Sequence, residues 1–375
     1  MEGVPMKLFS PFLLVALAAA FSTSMQAGTV RWSPRQANAW YAKQPWLVGA
    51  NFVPASAINQ LEMWQADTFD PVEIDRELGW ARQLGFNTMR VFLHNLAWRQ
   101  DPEGFLERVD QFLALCKKHH IRPLLVLLDD VWNPDPKIGP QPAPRAGVHN
   151  SGWVQSPGRA VVGNEKRWPE VKPYIQAVIG KFRKDRRVLA WDLYNEPGNL
   201  NNDYYRPREP KNKETLSLGL LAKVFEWARE VDHSQPLTAG VWTGDWRPDK
   251  LSPLNKFQLD HSDVISFHRY ADFATTKRDS ETLLAYGRPV ICTEYMARPM
   301  GSTFAELLPF FKAHKIGAIN WGFVAGKTNT IHAWNTWDKP DRGEPRVWFH
   351  DVLRADGTPY RTSEANLIRQ LTGTH

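Results

Sequence analysis

The chain has 375 residues, 43% of them hydrophobic, 23% charged, and a formal charge of +6. Lys and Arg are scattered among Asp and Glu rather than gathered in a stripe, which argues against a nucleic-acid partner. The length is enough for one large domain or two small ones, and the apolar fraction can build a sizeable core.

At the N-terminus, Met6-Lys7-Leu8-Phe9-Ser10 is a short, weakly basic start, Pro11 to Phe21 is an apolar run, and Ser24-Met25-Gln26-Ala27 supplies small residues. The run is too short for a permanent transmembrane helix and has the layout of an export signal cut after Ala27. Glu2 is out of place in such a signal, which makes Met6 an alternative start. The expectation is a secreted or periplasmic protein, without stable membrane insertion once residues 1–27 are removed. Residues 28–375 then form a single domain, expected to be a monomer.

Beyond it, strand-like and helix-like segments alternate. Trp46 to Phe52 reads as a first strand. Asp70-Pro71-Val72-Glu73 opens a helix with Asp as cap, Pro at the first position and Glu closing the box. Ile74, Leu78, Ala81 and Leu84 repeat at helical spacing, and Gly85 stops it. Thr88 to Leu93 is a second strand. Asp101-Pro102 caps a helix with Phe105, Val109, Phe112 and Cys116 on one face. Pro123 to Leu128 is a third strand, and an irregular stretch rich in Pro, Gly and Asn runs from Asp129 to about Lys166. Loops of that length in compact domains are usually functional.

A helix over about 168–182 leads to the strand Val188-Leu189-Ala190-Trp191-Asp192-Leu193-Tyr194-Asn195-Glu196-Pro197. Another helix spans about 214–231. Pro236 to Val241 is a fifth strand, followed by a poorly defined connection. Val264 to His268 is the sixth strand, and Pro289 to Thr293, running into Glu294, the seventh. Phe304, Leu307, Leu308 and Phe311 mark a helix, Gly317 to Trp321 is the eighth strand, and a last helix lies near 363–371. Eight short apolar strands alternating with helices predict an α/β fold, a single-domain (β/α)8 TIM barrel. A doubly wound open sheet would want a Gly-rich phosphate loop after the first strand, and Gly49-Ala50-Asn51-Phe52-Val53-Pro54 is not one. Cys116 and Cys292 fall in core patterns, so no disulfide is inferred.

Glu196 and Glu294 each close an apolar strand. A buried strand rarely ends in a carboxylate unless that group faces a site, and two such groups suit glycosidic-bond cleavage by a paired acid and nucleophile. The strand ends also bring Asn51, Arg90, His94, Asp129, Asp130, Asn195, Trp242, His268, Tyr270 and Trp321 to one mouth. Seventeen tryptophans is an unusual number. Many lie in loop-like segments, among them Trp64, Trp98, Trp132, Trp153, Trp242, Trp246, Trp334 and Trp337, and aromatic faces stack on sugar rings. The expected partner is a carbohydrate substrate. No His/Asp/Glu set shows metal-ligand spacing, and neither a metal nor another cofactor is expected. His119-His120 ends a helix, where a cation suits the dipole.

Asn195-Glu196-Pro197 resembles the acid/base signature of the clan A glycoside hydrolases, and its surroundings are most similar to glycoside hydrolase family 5, the cellulase and mannanase family. Arg90, His268-Arg269-Tyr270, Glu294 and Trp321 fall in register with that family over nearly all of the mature chain. The resemblance implies a retaining β-glycosidase acting on a glucan, mannan or xylan type of polysaccharide or its oligosaccharides. Glu196 would be the proton donor and then the base, and Glu294 the nucleophile. Asn195 would bond the 2-hydroxyl, Arg90 and Tyr270 would bracket Glu294, His268 would bond Glu196 or the sugar, and Trp321 would be the platform under the ring. Asn51 and Trp242 join the substrate-binding set.

The family commonly has a histidine at the end of strand three, where this chain has Leu128-Asp129-Asp130-Val131-Trp132. Asp130, His149, Trp153 or His94 is expected to take its place. Trp153 is expected to point at the sugar from the long loop, so that Trp153→Ala would weaken substrate use while sparing thermal stability. Asp338 and Asp341, with Trp334 and Trp337, lie in the last loop, as sugar ligands or as solvated groups. The alternatives are a transglycosylase using the same site and a non-catalytic carbohydrate-binding barrel. An esterase or phosphatase lacks a Gly-x-Ser-x-Gly elbow or a metal cluster.

Overall fold

The computed structural model describes residues 30–374 together with Met1 and Gly3. The export signal expected over 1–27 therefore lies outside the described residues but for those two. Among the described residues, no helix is long and apolar enough to cross a membrane.

Eight parallel strands form one sheet: β1 (Val48–Phe52), β2 (Thr88–Phe92), β3 (Leu124–Val126), β4 (Ala190–Asp192), β5 (Leu237–Thr238), β6 (Ile265–His268), β7 (Val290–Glu294) and β8 (Gly317–Asn320). Their order is β5-β4-β3-β2-β1-β8-β7-β6. Every sequential neighbour but one is paired, and β1 also pairs with β8. The remaining seam closes at the Val241–Phe267 bridge, where Val241 N donates to Ser266 O and His268 N to Val241 O, both at 3.0 Å. This is a (β/α)8 barrel, and the pairing of β1 with β8 excludes the doubly wound sheet. Every strand is buried on both faces, because helices cover the outside and side chains fill the inside. β1 passes so close to β2 that a Cβ on Gly49 would lie 1.8 Å from the Thr88 carbonyl oxygen.

Several elements differ from expectation. The segment from Trp168 to Phe182 is a 3-10 turn over Glu165–Glu170 followed by a helix over Lys172–Phe182. Pro169 cannot donate within a regular helix, whereas Pro173 sits in the first turn, where no donor is needed. The connection after β5 holds a helix, Pro253–His261, capped by Ser252 with Pro at the first position. Another helix, Phe273–Leu284, is capped by Asp272. Both begin with the capping chemistry read at Asp70-Pro71, but their weak apolar periodicity concealed them. Cys116 and Cys292 are buried as separate thiols.

Candidate active site

The site is built on a buried guanidinium. Arg90, on β2, is fully buried, and its three nitrogens engage four side chains. Nε lies 2.9 Å from Asp192 Oδ2, Nη1 2.7 Å from Glu294 Oε1 and 3.0 Å from Asn51 Oδ1, and Nη2 2.7 Å from Asn195 Oδ1. One rigid fork therefore ties β1, β2, β4 and β7 together and fixes the Glu294 carboxylate. The Tyr270 hydroxyl donates to the other Glu294 oxygen at 2.7 Å. Asp192 was not identified from sequence as part of this set. Its signal was an acidic residue inside the apolar run Leu189-Ala190-Trp191-Asp192-Leu193, a buried charge that required a partner.

Glu196 has a different environment. The strand ends at Asp192, and the chain turns so that Glu196 takes φ +43°, a left-handed conformation uncommon outside glycine and often found at functional sites. Its Oε2 accepts from Asn199 Nδ2 at 2.6 Å, and its Oε1 lies 2.8 Å from His268 Nδ1. Among the described residues no guanidinium forms an ion pair with it. Burial raises its pKa to about 7, against the Asn199 hydrogen bond and the more distant charge of Arg90. Burial raises Glu294 too, as does the like charge of Glu196, and His268, Arg90 and the Tyr270 hydroxyl reduce that rise without cancelling it; of the two carboxyls it is the one in contact with a fixed cation, which favours its anionic form. Burial lowers His268 to about 4, leaving a neutral imidazole at pH 7. Single ligand atoms from Glu196, His268 and Glu294 all lie within 4.8 Å of one another. Among the described residues these three are the side chains whose donor set would suit a cation, but Arg90 and Tyr270 already serve one carboxylate and Asn199 the other.

These groups stand in a cavity of about 420 Å³ whose walls include Trp132, Trp153, Asn195, Trp242, Trp321 and Trp334. Trp321 and Trp242 are half-buried and Asn195 is buried. Asn195 sends Oδ1 to Arg90 and Nδ2 to Asp129 at 2.8 Å. The Trp242 indole donates to Pro197 O at 3.3 Å.

Three expected sugar contacts are corrected. His94 is fully buried away from this cavity, caps a helix by accepting from Leu96 N at 3.0 Å, and meets Gln155 O at 3.0 Å; burial lowers its pKa to about 3. Asp130 is buried as well. Its carboxylate accepts from the Tyr194 hydroxyl, Gly198 N and Ser217 Oγ at 2.9, 2.7 and 2.6 Å, so it shapes the loop after Glu196. Asn51 donates to Thr293 O and Asn320 O at 2.8 and 3.1 Å and holds Arg90. All three lie behind the residues that face the cavity.

Trp153 is more deeply buried than a loop residue was expected to be. It is 2% exposed, donates from Nε1 to Asp129 Oδ2 at 2.7 Å, and packs edge-on against Phe92 and Trp321 at 5.1 and 5.6 Å between centroids. It lines the cavity with almost all of its surface covered by protein. Of the residues weighed for the missing histidine, His149 also lines the cavity, along with its neighbour Asn150. Of the last-loop residues, Trp334 lines the cavity, Trp337 packs on Trp132, Asp341 meets His332 at 2.8 Å, and Asp338 is exposed.

The sequence profile of the cellulase family, glycosyl hydrolase family 5, matches residues 64–326. Among solved structures, an exo-β-1,4-mannosidase from Opitutaceae bacterium strain TAV5 superposes with TM-score 0.62 at 18% identity, over 92% of this chain and 62% of that one. The endo-β-1,4-mannanase of Thermotoga petrophila gives TM-score 0.56 at 15% identity over 89% and 77%. The β-1,4-mannanase of the sea hare Aplysia kurodai gives 0.53 at 15% over 73% and 87%. At such identities the likeness speaks for the fold. A comparison with curated protein sequences finds no match.

Proposed function

Because the chain belongs to glycoside hydrolase family 5, whose profile spans its barrel from residue 64 to 326, and is thereby a hydrolase of O-glycosyl bonds in β-linked polysaccharides, we propose that it works by double displacement with retention, Glu294 as nucleophile and Glu196 as acid and then base. The observation that carries this reading is the pairing of two carboxyl groups with oxygens within 4.8 Å, one held by a guanidinium and a phenol, the other raised to about 7 by burial. Retaining enzymes place these groups roughly 5–5.5 Å apart, whereas inverting ones need roughly 6.5–9.5 Å to admit a water.

Glu294 attacks the anomeric carbon while Glu196 delivers its proton to the departing oxygen. Glu196, now an anion, then takes a proton from the water that releases the sugar. The Tyr270 hydroxyl and Arg90 hold the nucleophile on its line of attack and accept the loss of its charge. Neutral His268, between the two carboxyls, steers Glu196 without competing for its proton. Asn195 reaches the 2-hydroxyl by exchanging one of its present partners, and Trp321 carries the sugar face.

The substrate is a glucan, mannan or xylan or an oligosaccharide derived from one, met outside the cytoplasm after residues 1–27 are removed. N-terminal sequencing of the exported protein checks the cleavage. Proton NMR of the first product checks the mechanism. The β-anomer must form first, and a 2-deoxy-2-fluoro β-glycoside must label Glu294. Initial release of the α-anomer, or labelling elsewhere, refutes the assignment.

A further inference from the structure

The cavity is closed at one end by three loops that lock into one another. The loop after β3 returns over β1 and β2, and residues 148–158 are all buried. There Asn59 Nδ2 donates to Gly152 O at 2.7 Å and Gln60 Nε2 to Val154 O at 3.0 Å. Gly152 lies so close to Ile58 that a Cβ would come within 2.3 Å of it. The same limb is bound to the loop after β8: Asn150 N donates to Thr328 O at 2.8 Å, His149 N to Thr336 Oγ1 at 2.9 Å, and Asp341 N to Gly147 O at 3.0 Å. The loop after β4 joins through Trp337, which stacks on Trp132 at 5.9 Å and meets Tyr205 at 5.2 Å. Gln155 Nε2 donates to Glu209 Oε1 at 2.6 Å. The wall is continuous from β8 past β1, β2 and β3 to β4.

The catalytic pair indicates which end this is. The departing group leaves past Glu196, on the side of Trp242, where Thr243, Gly244, Asp245 and Asp272 are exposed. The sugar that is transferred lies on Trp321, and Trp321 packs edge-on against Trp153, in the closed limb itself. The ring edge remote from the anomeric carbon therefore faces the wall. In that wall Asn150, 1% exposed, lines the cavity, and neither its Nδ2 nor its Oδ1 has a partner among the described residues. A buried amide with both functions unmet is unfavourable unless a ligand supplies them. A hydroxyl, both donor and acceptor, is the ligand that fits.

We propose that this enzyme is exo-acting, removing one sugar at a time from the non-reducing end, and that Asn150 recognises the free hydroxyl that only a terminal residue carries there. The proposal rests on the retaining-glycosidase reading above. In a chain interior that oxygen bears the next sugar, which would run into the interlocked loops. A cavity of about 420 Å³ lies toward the small end of ligand pockets, which span roughly 300–1,000 Å³, and suits the scissile pair of sugars better than a long segment of chain.

The test uses cello-, manno- and xylopentaose labelled at the reducing end. With whichever is cleaved, the expected early products are free monosaccharide and labelled tetrasaccharide. A 4-O-methyl group on the terminal sugar should slow cleavage by roughly a hundredfold or more. Labelled di- or trisaccharide at early times, or unimpeded cleavage of the capped substrate, overturns the proposal while leaving the glycosidase reading intact. No turnover of any pentaose or aryl β-glycoside overturns that reading and this inference together. Asn150 has φ +47°, so Asn150→Gly keeps the backbone unstrained. It should lower kcat/KM on the uncapped chain about tenfold to a hundredfold and abolish the preference over a 4-deoxy terminal sugar, with an unchanged Tm. A 4-hydroxyl preference that survives in Asn150→Gly refutes the assignment of that residue.

Discussion

Asn199→Ala is the perturbation that most directly tests how the acid is tuned. Asn199 donates a 2.6 Å hydrogen bond to Glu196 Oε2, which stabilises the carboxylate and restrains the rise caused by burial, leaving the group at about 7. A hydrogen bond to a charged group contributes about 1.5–3 kcal/mol, and one pKa unit corresponds to about 1.4 kcal/mol. With partial replacement by water, removal should lift Glu196 by about one unit. The acid must be protonated to act, so kcat/KM in the parent falls as pH rises through about 7, and in the variant that limb moves upward. The assay is kcat/KM from pH 5 to 10 on an oligosaccharide, since a phenolic leaving group departs without much help from the acid. An alkaline limb that stays in place or moves to lower pH refutes the account of Glu196.

Arg90→Met leaves Asp192 and Glu294 buried without their cation, a loss of about 3–5 kcal/mol. It should also move the acid limb of kcat/KM to higher pH, because an unpaired Glu294 takes up a proton more readily; denaturant melts and a pH profile check the two parts. Glu196→Gln should lose activity on unactivated substrates yet be more stable than the parent at pH 8, by up to about 3 kcal/mol. The sign follows from a folded-state value near 7 above an ordinary carboxyl value near 4.5: stability falls as pH rises between them, so the gap must vanish below about pH 4.5. Trp153→Ala should lower Tm by roughly 4–7 °C, because the indole is buried and donates to Asp129, in contrast to the sequence expectation that it would spare stability; calorimetry decides.

The barrel, and the meeting of Glu196 and Glu294 at its mouth, were legible in the chain because they depend on local and periodic signals. Strand-length apolar runs, Asp-Pro caps and two carboxylates closing strands at Glu196 and Glu294 are all short-range patterns, and strand ends in such a barrel converge on one mouth whatever the loops do. What the chain could not reveal was which polar residues face the cavity and which stand behind it. Asn51, His94 and Asp130 occupy strand ends like those of Arg90 and Glu294, but whether such a side chain meets substrate or protein depends on partners far away in sequence, such as Ser217 for Asp130 and Gln155 for His94. Trp153 read as a loop tryptophan, and only the tertiary structure showed it buried against Phe92 and Trp321. The closed end of the cavity likewise exists only where three loops far apart in sequence meet at Trp337, Trp132 and Tyr205. Sequence determines secondary structure through neighbours a few positions apart; burial, pairing and pKa are set by contacts among distant residues, which have no local signature.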